Sequence, residues 1–269
     1  MTGMGKGKPF LEVFSSALHE DYRFPILEIF AFLYALGTFV FASFPFAVEG
    51  APSEAIAYNL TTSILGAFSL FIFIILIFKN VAYGLGSDLE KGIIQTYFSY
   101  PLKRRGILTA KLLSALGIAL ILLLTIQISA LYVLAPDIVS PYLGTVLLTY
   151  AAILSPSLFL TGIVLLVTLT LRRGSLALVI GIVLFFAMNI IGAIAILVAS
   201  STGSPVALQI LAVISPDVVL SRYYSTYVPS PELWTPTFSE VLLYIGASYV
   251  IVAFLFFLGY LYFSRRLGL

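Results

Sequence analysis

The residues best suited to specific chemistry lie between two long apolar runs, at 88–105, where the sequence reads Asp-Leu-Glu-Lys-Gly-Ile-Ile-Gln-Thr-Tyr-Phe-Ser-Tyr-Pro-Leu-Lys-Arg-Arg. Only 10% of the chain is charged, and this stretch is its longest charged, amphipathic insertion. The apolar and aromatic side chains recur at spacings of three and four, which predicts a short helix with one hydrophobic face. The chemistry of such a helix is recognition of another surface rather than catalysis.

The predicted helix starts near acidic residues and stops at a proline. Asp88 and Glu90 precede or begin it, where the helix dipole favours negative charge. Pro101 ends it, because the residue before a proline is biased away from the helical conformation. The apolar and aromatic face consists of Leu89, Ile93, Ile94, Tyr97, Phe98 and Tyr100.

A basic cluster follows the proline and consists of Lys103, Arg104 and Arg105. These side chains are expected at the level of the lipid headgroups. Two interpretations remain open on these residues alone. The helix rests on the inner leaflet with its basic residues on lipid phosphates, or it projects into the cytoplasm and docks on a soluble partner.

Groups for catalysis are scarce in this sequence. The chain has one His and no Cys, and no acidic residue falls deep within a predicted span, which disfavours an intramembrane enzyme. The phosphate-binding pattern Gly-x-x-x-x-Gly-Lys-Ser/Thr is absent from the sequence, so we expect no ATP hydrolysis by this chain. We expect Gln127 and Asn189 to form hydrogen bonds between packed helices, with contact to a substrate as the alternative. No catalytic residue and no metal site is predicted.

Composition predicts the elements that position these residues. Hydrophobic residues make up 61% of the 269 residues and the mean hydropathy is +1.10, which indicates that lipid surrounds most of the chain. Because the apolar runs lack the alternation of barrel strands, we predict an all-α polytopic membrane protein with six transmembrane helices. The six runs lie at about 24–48, 57–78, 108–134, 142–171, 175–200 and 239–263.

The distribution of basic residues predicts the orientation in the membrane. With six spans and a cytoplasmic N-terminus, all of the 14 Lys and Arg residues except Arg222 fall on the cytoplasmic side. The positive-inside rule therefore places both termini in the cytoplasm. We expect a multi-pass protein of the plasma membrane.

Three segments outside the spans have patterns of their own. Residues 10–22 form an apolar stripe at helical spacing, which predicts an amphipathic N-terminal helix at the membrane surface. The outer loop at 201–238 is rich in Pro, Ser and aromatic residues, and it predicts either short helices that enter the outer leaflet or an ordinary interfacial loop. The turn at 171–175 is so short that spans four and five should form an antiparallel hairpin.

The segment from Glu90 to Lys111 resembles a motif of the ABC-2 type permeases, the membrane subunits of a class of ABC exporters. The family pattern is E-x-G, followed by YP-[IL]-x-R and then K. The matching residues are Glu90-Lys91-Gly92, Tyr100-Pro101-Leu102, Lys103-Arg104-Arg105 and Lys111. One departure is that Gly86-Ser87 precede Asp88, where the family often has further acidic residues.

The resemblance extends over nearly the whole chain. It includes the six spans, the amphipathic entry helix, Ser215-Pro216-Asp217 after span five, and Phe263-Ser264-Arg265-Arg266-Leu267 near the end. The chain looks most like the short permeases grouped with the nitrous-oxide-reductase maturation permease. The resemblance implies a single ABC-2 type transmembrane domain over 1–269, with a cytoplasmic coupling helix in the segment 86–107 between spans two and three.

The resemblance also implies a function and a set of partners. The chain would be the permease that couples ATP hydrolysis by a separate ATPase subunit to substrate movement across or out of the membrane. The implied complex has two permease chains, expected as a homodimer, and two ATPase subunits that bind ATP and Mg, so no cofactor is expected in this chain. Membrane lipids are a further expected partner, and nucleic acid is not. The alternative is an ATP-independent channel or facilitator with a lipid-binding cytoplasmic loop.

Three sets of candidate residues follow from the resemblance. The expected ATPase interface is Asp88, Glu90, Gly92, Ile93, Ile94, Tyr97, Phe98, Tyr100 and Pro101. The expected membrane-surface cluster is Lys103, Arg104, Arg105 and Lys111, with Lys111 reaching the headgroups by snorkelling. The expected translocation lining, from spans two and five, is Asn59, Ser63, Phe68, Phe71, Gly181, Phe185 and Asn189. Ordinary helix packing is the alternative for these seven residues.

Overall fold

A computed structural model describes residues 8–42, 52–98, 102–225 and 234–266, and every regular element in these ranges is a helix. The first half forms α1 Lys8–Asp21, α2 Ile26–Ala42, α3 Ser53–Leu65, α4 Ala67–Phe78, α5 Leu85–Glu90, α6 Ile93–Phe98, α7 Arg104–Leu112 and α8 Ile118–Leu134. The second half forms α9 Pro136–Val139, α10 Leu143–Leu171, α11 Gly174–Thr202, α12 Val206–Ala212, α13 Asp217–Ser225 and α14 Phe238–Arg266. Two π-helical segments, Lys79–Gly84 and Leu113–Gly117, connect α4 to α5 and α7 to α8. The all-α prediction is confirmed.

Five continuous helical stretches in the described ranges are long and apolar enough to cross a membrane. They are Phe68–Glu90, Arg104–Leu134, Leu143–Leu171, Gly174–Thr202 and Phe238–Arg265. Helices α1 and α2 are bent relative to each other by 65°, and if the two together form one span, the number of spans is six. The chain thus has the character of a polytopic helical membrane protein with five or six spans.

The second span differs from its prediction. The run at 57–78 is interrupted at Gly66, whose backbone angles (φ −11°, ψ 178°) are not helical. The apolar helix then continues through the first π-helical segment to Glu90. Asp88 and Glu90 therefore lie at the C-terminal end of a long helix that was not predicted, and they also precede the short helix α6, which begins at Ile93 as the sequence predicted. The helix continues because polar side chains in its last part bond to α1 and α7.

The later spans agree with their predictions. α10, α11 and α14 match the predicted runs to within a few residues. α10 and α11 pack together as the expected hairpin, with Arg172 in the left-handed conformation at the turn (φ 54°). In the segment predicted as the outer loop, α12 packs on α11 and α13 packs on α14, which favours the interpretation with short helices.

Polar residues within the spans have two different environments. The Gln127 side-chain nitrogen donates to Ser69 Oγ at 3.0 Å, and Tyr150 OH donates to the Gln127 side-chain oxygen at 3.1 Å. These bonds connect α8 to α4 and α10, as predicted for Gln127. Asn189 is exposed and donates to Phe185 O of its own helix at 2.8 Å. The prediction of an interhelical hydrogen bond is wrong for Asn189.

The two ends of the bundle differ in charge. We call one of them the charged end, and it is formed by the end of α1, by α5 and α6, by the start of α7 and by the end of α14. Its basic residues are Arg23, Lys79, Lys91, Lys103, Arg104, Arg105, Lys111, Arg172, Arg173 and Arg265. Arg222 lies at the opposite end, in α13, where Tyr224 OH donates to Glu54 Oε1 of α3 at 3.0 Å. Which end faces the cytoplasm stays a prediction.

Candidate functional site

The short helix α6 follows α5 through a turn at the charged end. Gly92 has a φ of +71° in this turn, a left-handed conformation that glycine adopts without steric cost. The turn interrupts the long helix, so α6 is a separate element that packs against the end of α5. Gly92, a predicted interface residue, therefore also positions α6.

α6 has one buried face and one exposed face. Ile94 is 3% exposed and Tyr97 is 8% exposed. On the opposite side Ile93 is 37% exposed, and Gln95 and the preceding Glu90 are exposed as well. The sequence predicted a single apolar face on this helix. In the structure most of that face packs inside the protein, and the rest of it is exposed.

Aromatic side chains attach the buried face of α6 to three other helices. Tyr97 OH lies 3.3 Å from Ser16 Oγ of α1, and Lys111 Nζ of α7 lies 5.0 Å from the centre of the Tyr97 ring. Phe98 packs against Phe263 of α14, with ring centroids 6.2 Å apart. A displacement of α6 therefore reaches α1, α7 and α14 through direct contacts.

Lys111 is the centre of an ion-pair cluster in which Lys111 and Asp88 are buried and Glu20 is exposed. Its Nζ lies 2.6 Å from Asp88 Oδ2 and 2.6 Å from Glu20 Oε2. Lys111 is only 8% exposed, so the prediction that it snorkels to the headgroups is wrong. Asp88 is 7% exposed and its carboxylate pairs with Lys111, so its place in an ATPase interface stays a prediction. Burial of the ammonium group requires these carboxylates, because an unpaired buried charge is strongly destabilising.

Asp21 completes the cluster on the side of α1. Ser114 Oγ donates to Asp21 Oδ2 at 2.6 Å, and Lys79 Nζ donates to Asp21 O at 2.6 Å. Burial raises the pKa of the Asp21 carboxyl to about 6, against the opposing effects of the Ser114 hydrogen bond and the Lys111 and Lys79 charges. The end of α1 is therefore bonded to both π-helical segments.

A cavity of about 260 Å³ lies beside the cluster, and we call it the polar cavity. Its polar wall includes Glu20, Arg23, Lys79, Asn80, Asp88 and Lys111. Asn80 is 3% exposed, and neither its side-chain nitrogen nor its side-chain oxygen has a hydrogen-bond partner among the described residues. The polar cavity thus combines charges of both signs.

The predicted basic cluster lies directly after α6. Lys103 and Arg105 are exposed, and the guanidinium carbon of Arg104 lies 4.9 Å from the centre of the Phe98 ring. Tyr100 and Pro101 lie outside the described residues, so their predicted role in ending the coupling helix stays a prediction.

Part of the predicted translocation lining is brought together. Phe185 and Asn189 line a second cavity of about 370 Å³, which lies between α4, α10, α11, α12 and α13. Phe71 packs on Phe185, with ring centroids 6.0 Å apart. Gly181 lies on the same helix, where a Cβ atom would come within 3.0 Å of Phe78.

The remaining lining candidates do not line this cavity. Asn59 and Ser63 lie on α3, where Ser63 Oγ donates to Asn59 O at 2.8 Å. Phe68 packs on Phe41 of α2, with ring centroids 6.4 Å apart. The break at Gly66 explains the separation, because residues on its two sides do not share one helical periodicity.

Sequence reasoning missed the residues that complete the charged cluster. They are Glu20, Asp21, Lys79, Asn80 and Ser114. One signal was present, since Lys111 and Ser114 are three residues apart and so share a helix face. Glu20, the partner of Lys111, lies 91 residues away in the sequence, a distance over which no local pattern predicts a contact.

No group of three or more His, Cys, Asp or Glu residues in the described ranges is arranged to bind a metal ion. No protein-family model matches this sequence, and no curated protein has significant sequence similarity to it. Function is therefore inferred from the contacts at the charged end.

Proposed function

We propose that this chain is the permease subunit of an ATP-driven exporter of the ABC-2 type, with the charged end and both termini on the cytoplasmic side of the plasma membrane. The observation that carries the proposal is the arrangement of α6, whose buried face contacts three helices and whose other face is open. A separate ATPase subunit binds this open face and supplies the site for ATP and Mg. The sequence motif around α6 supports the same assignment.

The ion-pair cluster supports a mechanical role for α6. Asp88 ends the span Phe68–Glu90, and Lys111 lies near the start of the span Arg104–Leu134. Their 2.6 Å contact holds these two spans together where α6 joins them. Tyr97 adds a contact from α6 to Lys111 itself. Movement imposed on α6 by the ATPase would therefore move both spans together.

The complex that we propose contains two permease chains and two ATPase subunits. α11 is the surface that suits a second copy of this chain, because Phe186, Ile190 and Ile194 are each more than half exposed (53%, 59% and 52%). The substrate path lies beside this surface, at the cavity lined by Phe185 and Asn189. Its mostly apolar wall suits lipids or other amphipathic molecules.

Substitutions on the open face of α6 test the ATPase interface. Ile93→Asp and Glu90→Arg should each lower the amount of ATPase subunit that co-purifies with the permease by about tenfold, since residues central to an interface contribute at least this much. Leu11→Asp and Glu12→Arg are matched controls, because they make the same chemical changes at exposed positions of α1. Co-purification and ATP-dependent transport in reconstituted vesicles are the measurements.

Two outcomes would contradict this proposal in different ways. Equal co-purification of the α6 variants and the α1 controls would exclude α6 as the docking helix. If the native permease carries no ATP-hydrolysing subunit and conducts substrate without ATP, the chain is a channel or facilitator instead.

A further inference from the structure

Two glycines bring the span Phe68–Glu90 into backbone contact with α11 at the charged end. Gly86 of α5 and Gly174, the first residue of α11, are both buried. A Cβ atom on Gly86 would lie 2.6 Å from Gly174 Cα, and a Cβ atom on Gly174 would lie 2.7 Å from Tyr83 O. Both distances end on backbone atoms, which cannot turn aside as a flexible side chain can. The two helices therefore approach this closely only because both positions are glycine.

The same two helices are less closely packed toward the other end of the bundle. They run antiparallel, since the span ends and α11 begins at the charged end. α11 packs closely on α5 and on the first π-helical segment, but only loosely on α4. The second cavity, of about 370 Å³, lies beyond the close contact, with Ile74 of α4 and Asn189 of α11 in its wall. α4 and α11 thus form the two arms of a V that closes at Gly86 and Gly174.

α11 is attached to the protein mainly near its first residue. Only 6% of its most apolar part is buried. Its start is connected to α10 through Arg172 and Arg173, and Gly181, two turns into the helix, lies against Phe78. A helix with few buried contacts beyond its first turns can tilt about that end at a small cost in packing. Such a tilt would change the width of the cavity between α11 and α4.

The close contact also lies next to α6. Gly86 belongs to α5, against whose end α6 packs after the turn at Gly92. Asp88, two residues after Gly86, pairs with Lys111 of α7. A displacement of α6 therefore reaches Gly86 through α5, and it reaches α11 through the backbone contact with Gly174.

We propose that the contact between Gly86 and Gly174 is the pivot about which α11 tilts against α4, so that movement of α6 opens and closes the cavity lined by Phe185 and Asn189. Neither glycine lines that cavity, so both are positioning residues for transport. The pivot rests on the proposed function only in that the ATPase supplies the movement of α6.

Distances between labels on the two arms test the tilt directly. The chain contains no Cys, so Ile75→Cys on α4 and Leu197→Cys on α11 provide two unique labelling positions. Both residues are exposed and neither lines the cavity. Dipolar spectroscopy of spin-labelled chains, diluted with unlabelled chains, measures the distance within one permease. We expect ATPase subunits with a non-hydrolysable ATP analogue to shift this distance, and Gly174→Ala to change the resting distance and abolish the shift.

Transport measurements separate the pivot from the ATPase interface. Gly86→Ala and Gly174→Ala should each lower ATP-dependent transport about tenfold, whereas co-purification of the ATPase subunit and ATP hydrolysis should persist. Gly144→Ala and Gly246→Ala are matched controls, because a Cβ atom at either position meets nothing within 4 Å, and both should transport as the native chain does. A change in packing alone would not remove the response of the label distance to nucleotide.

The outcomes distinguish failure of the pivot from failure of the exporter assignment. Native transport and native label distances in Gly86→Ala and Gly174→Ala would overturn the pivot and leave the exporter assignment in place. If no ATPase subunit accompanies the native chain, the exporter assignment fails, and an unchanged resting distance in Gly174→Ala would overturn the pivot as well. If alanine prevents folding, a cleavable cross-linker between the two introduced cysteines replaces it. Cross-linking should stop transport and cleavage should restore it, and undiminished transport by the cross-linked chain would overturn the pivot.

Discussion

Two consecutive helices, α10 and α11, have the same length and opposite environments. Each has 29 residues, both are strongly apolar, and only Arg172 and Arg173 separate them. In the most apolar part of each helix, 67% of α10 is buried and 6% of α11 is buried. Hydropathy therefore identifies both as spans but does not show which one forms the centre of the bundle.

The difference lies in hydroxyl-bearing residues, which recur along the whole of α10 but occur only near the two ends of α11. The buried polar residues of α10 are Thr145, Thr149, Ser155, Ser157, Thr161 and Thr168. α11 instead presents large apolar side chains outward, among them Ile182, Val183, Phe186, Ile190, Ile194 and Leu197. Lipid solvates large apolar side chains as well as a protein interior does, and α11 has at least as many small residues as α10, so the hydroxyl groups along α10 rather than small size alone distinguish the central helix.

The largest expected effect is overpacking at the centre of α10. A Cβ atom on Gly162 would lie 2.8 Å from Leu255 Cβ of α14, a position close to the backbone that cannot move aside freely. Gly162→Val should lower the free energy of unfolding by about 3 kcal/mol. Gly192→Val in α11 is the matched control, because a Cβ there meets nothing within 4 Å, and its effect should stay within about 0.5 kcal/mol.

Thermal unfolding of both variants, in detergent diluted until the chain sediments as a monomer, provides the comparison. Equal destabilisation would show that the burial difference between α10 and α11 does not describe the monomer. Equal stability of the two variants and the native chain would mean that α10 and α14 do not approach each other closely at Gly162.

A second test asks whether the exposed face of α11 meets lipid or a second permease. Ile190 is 59% exposed on α11, and Ile121 is 61% exposed on α8. If a second copy packs on α11, Ile190→Gln should raise the dimer dissociation constant by about tenfold relative to Ile121→Gln, since a polar group in a close-packed contact loses packing there. Energy transfer between labelled chains in liposomes measures this constant. Equal constants for the two variants would assign the α11 face to lipid.

The sequence was sufficient to predict where a helix begins and ends wherever an apolar run ends at clear turn residues. Arg172 and Arg173 after α10, and Gly203 after α11, mark such ends, and the structure agrees there to within a few residues. The prediction of the second span was wrong in its bounds because Gly66 breaks the helix inside an apolar run. The helix also continues beyond residue 78 through polar residues. Hydropathy cannot predict that continuation, which depends on partners from α1 and α7.

The candidate site was predictable only in its local part. The spacing of Leu89, Ile93 and Tyr97 predicted a helix between two spans, and the structure contains Ile93 and Tyr97 in α6 while Leu89 belongs to α5. Lys111 was placed at the headgroups because its carboxylate partners were unknown, and a lysine near the end of a span has no other way to satisfy its charge. Glu20, on a helix more than ninety residues earlier, provides that partner, so the buried cluster is a property of the tertiary structure.

The smallest expected effect concerns one hydrogen bond at the centre of the bundle. Ser155 Oγ of α10 lies 2.6 Å from Ser248 Oγ of α14, and both residues are buried. A double-mutant cycle with Ser155→Ala and Ser248→Ala should give a coupling free energy of about 0.6 kcal/mol, the usual value for a hydrogen bond between membrane helices. Unfolding in mixed micelles measures it.

Ser200 of α11 provides the control for this cycle. Its hydroxyl is exposed and donates to Leu197 O of the same helix at 2.9 Å, so Ser200→Ala should show no coupling to Ser248→Ala. Zero coupling between Ser155 and Ser248 as well would mean that Gly162 and the other small residues hold α10 against α14 by packing alone. A measured coupling would show that α10 is central because its hydroxyl groups find partners that the large side chains of α11 cannot offer.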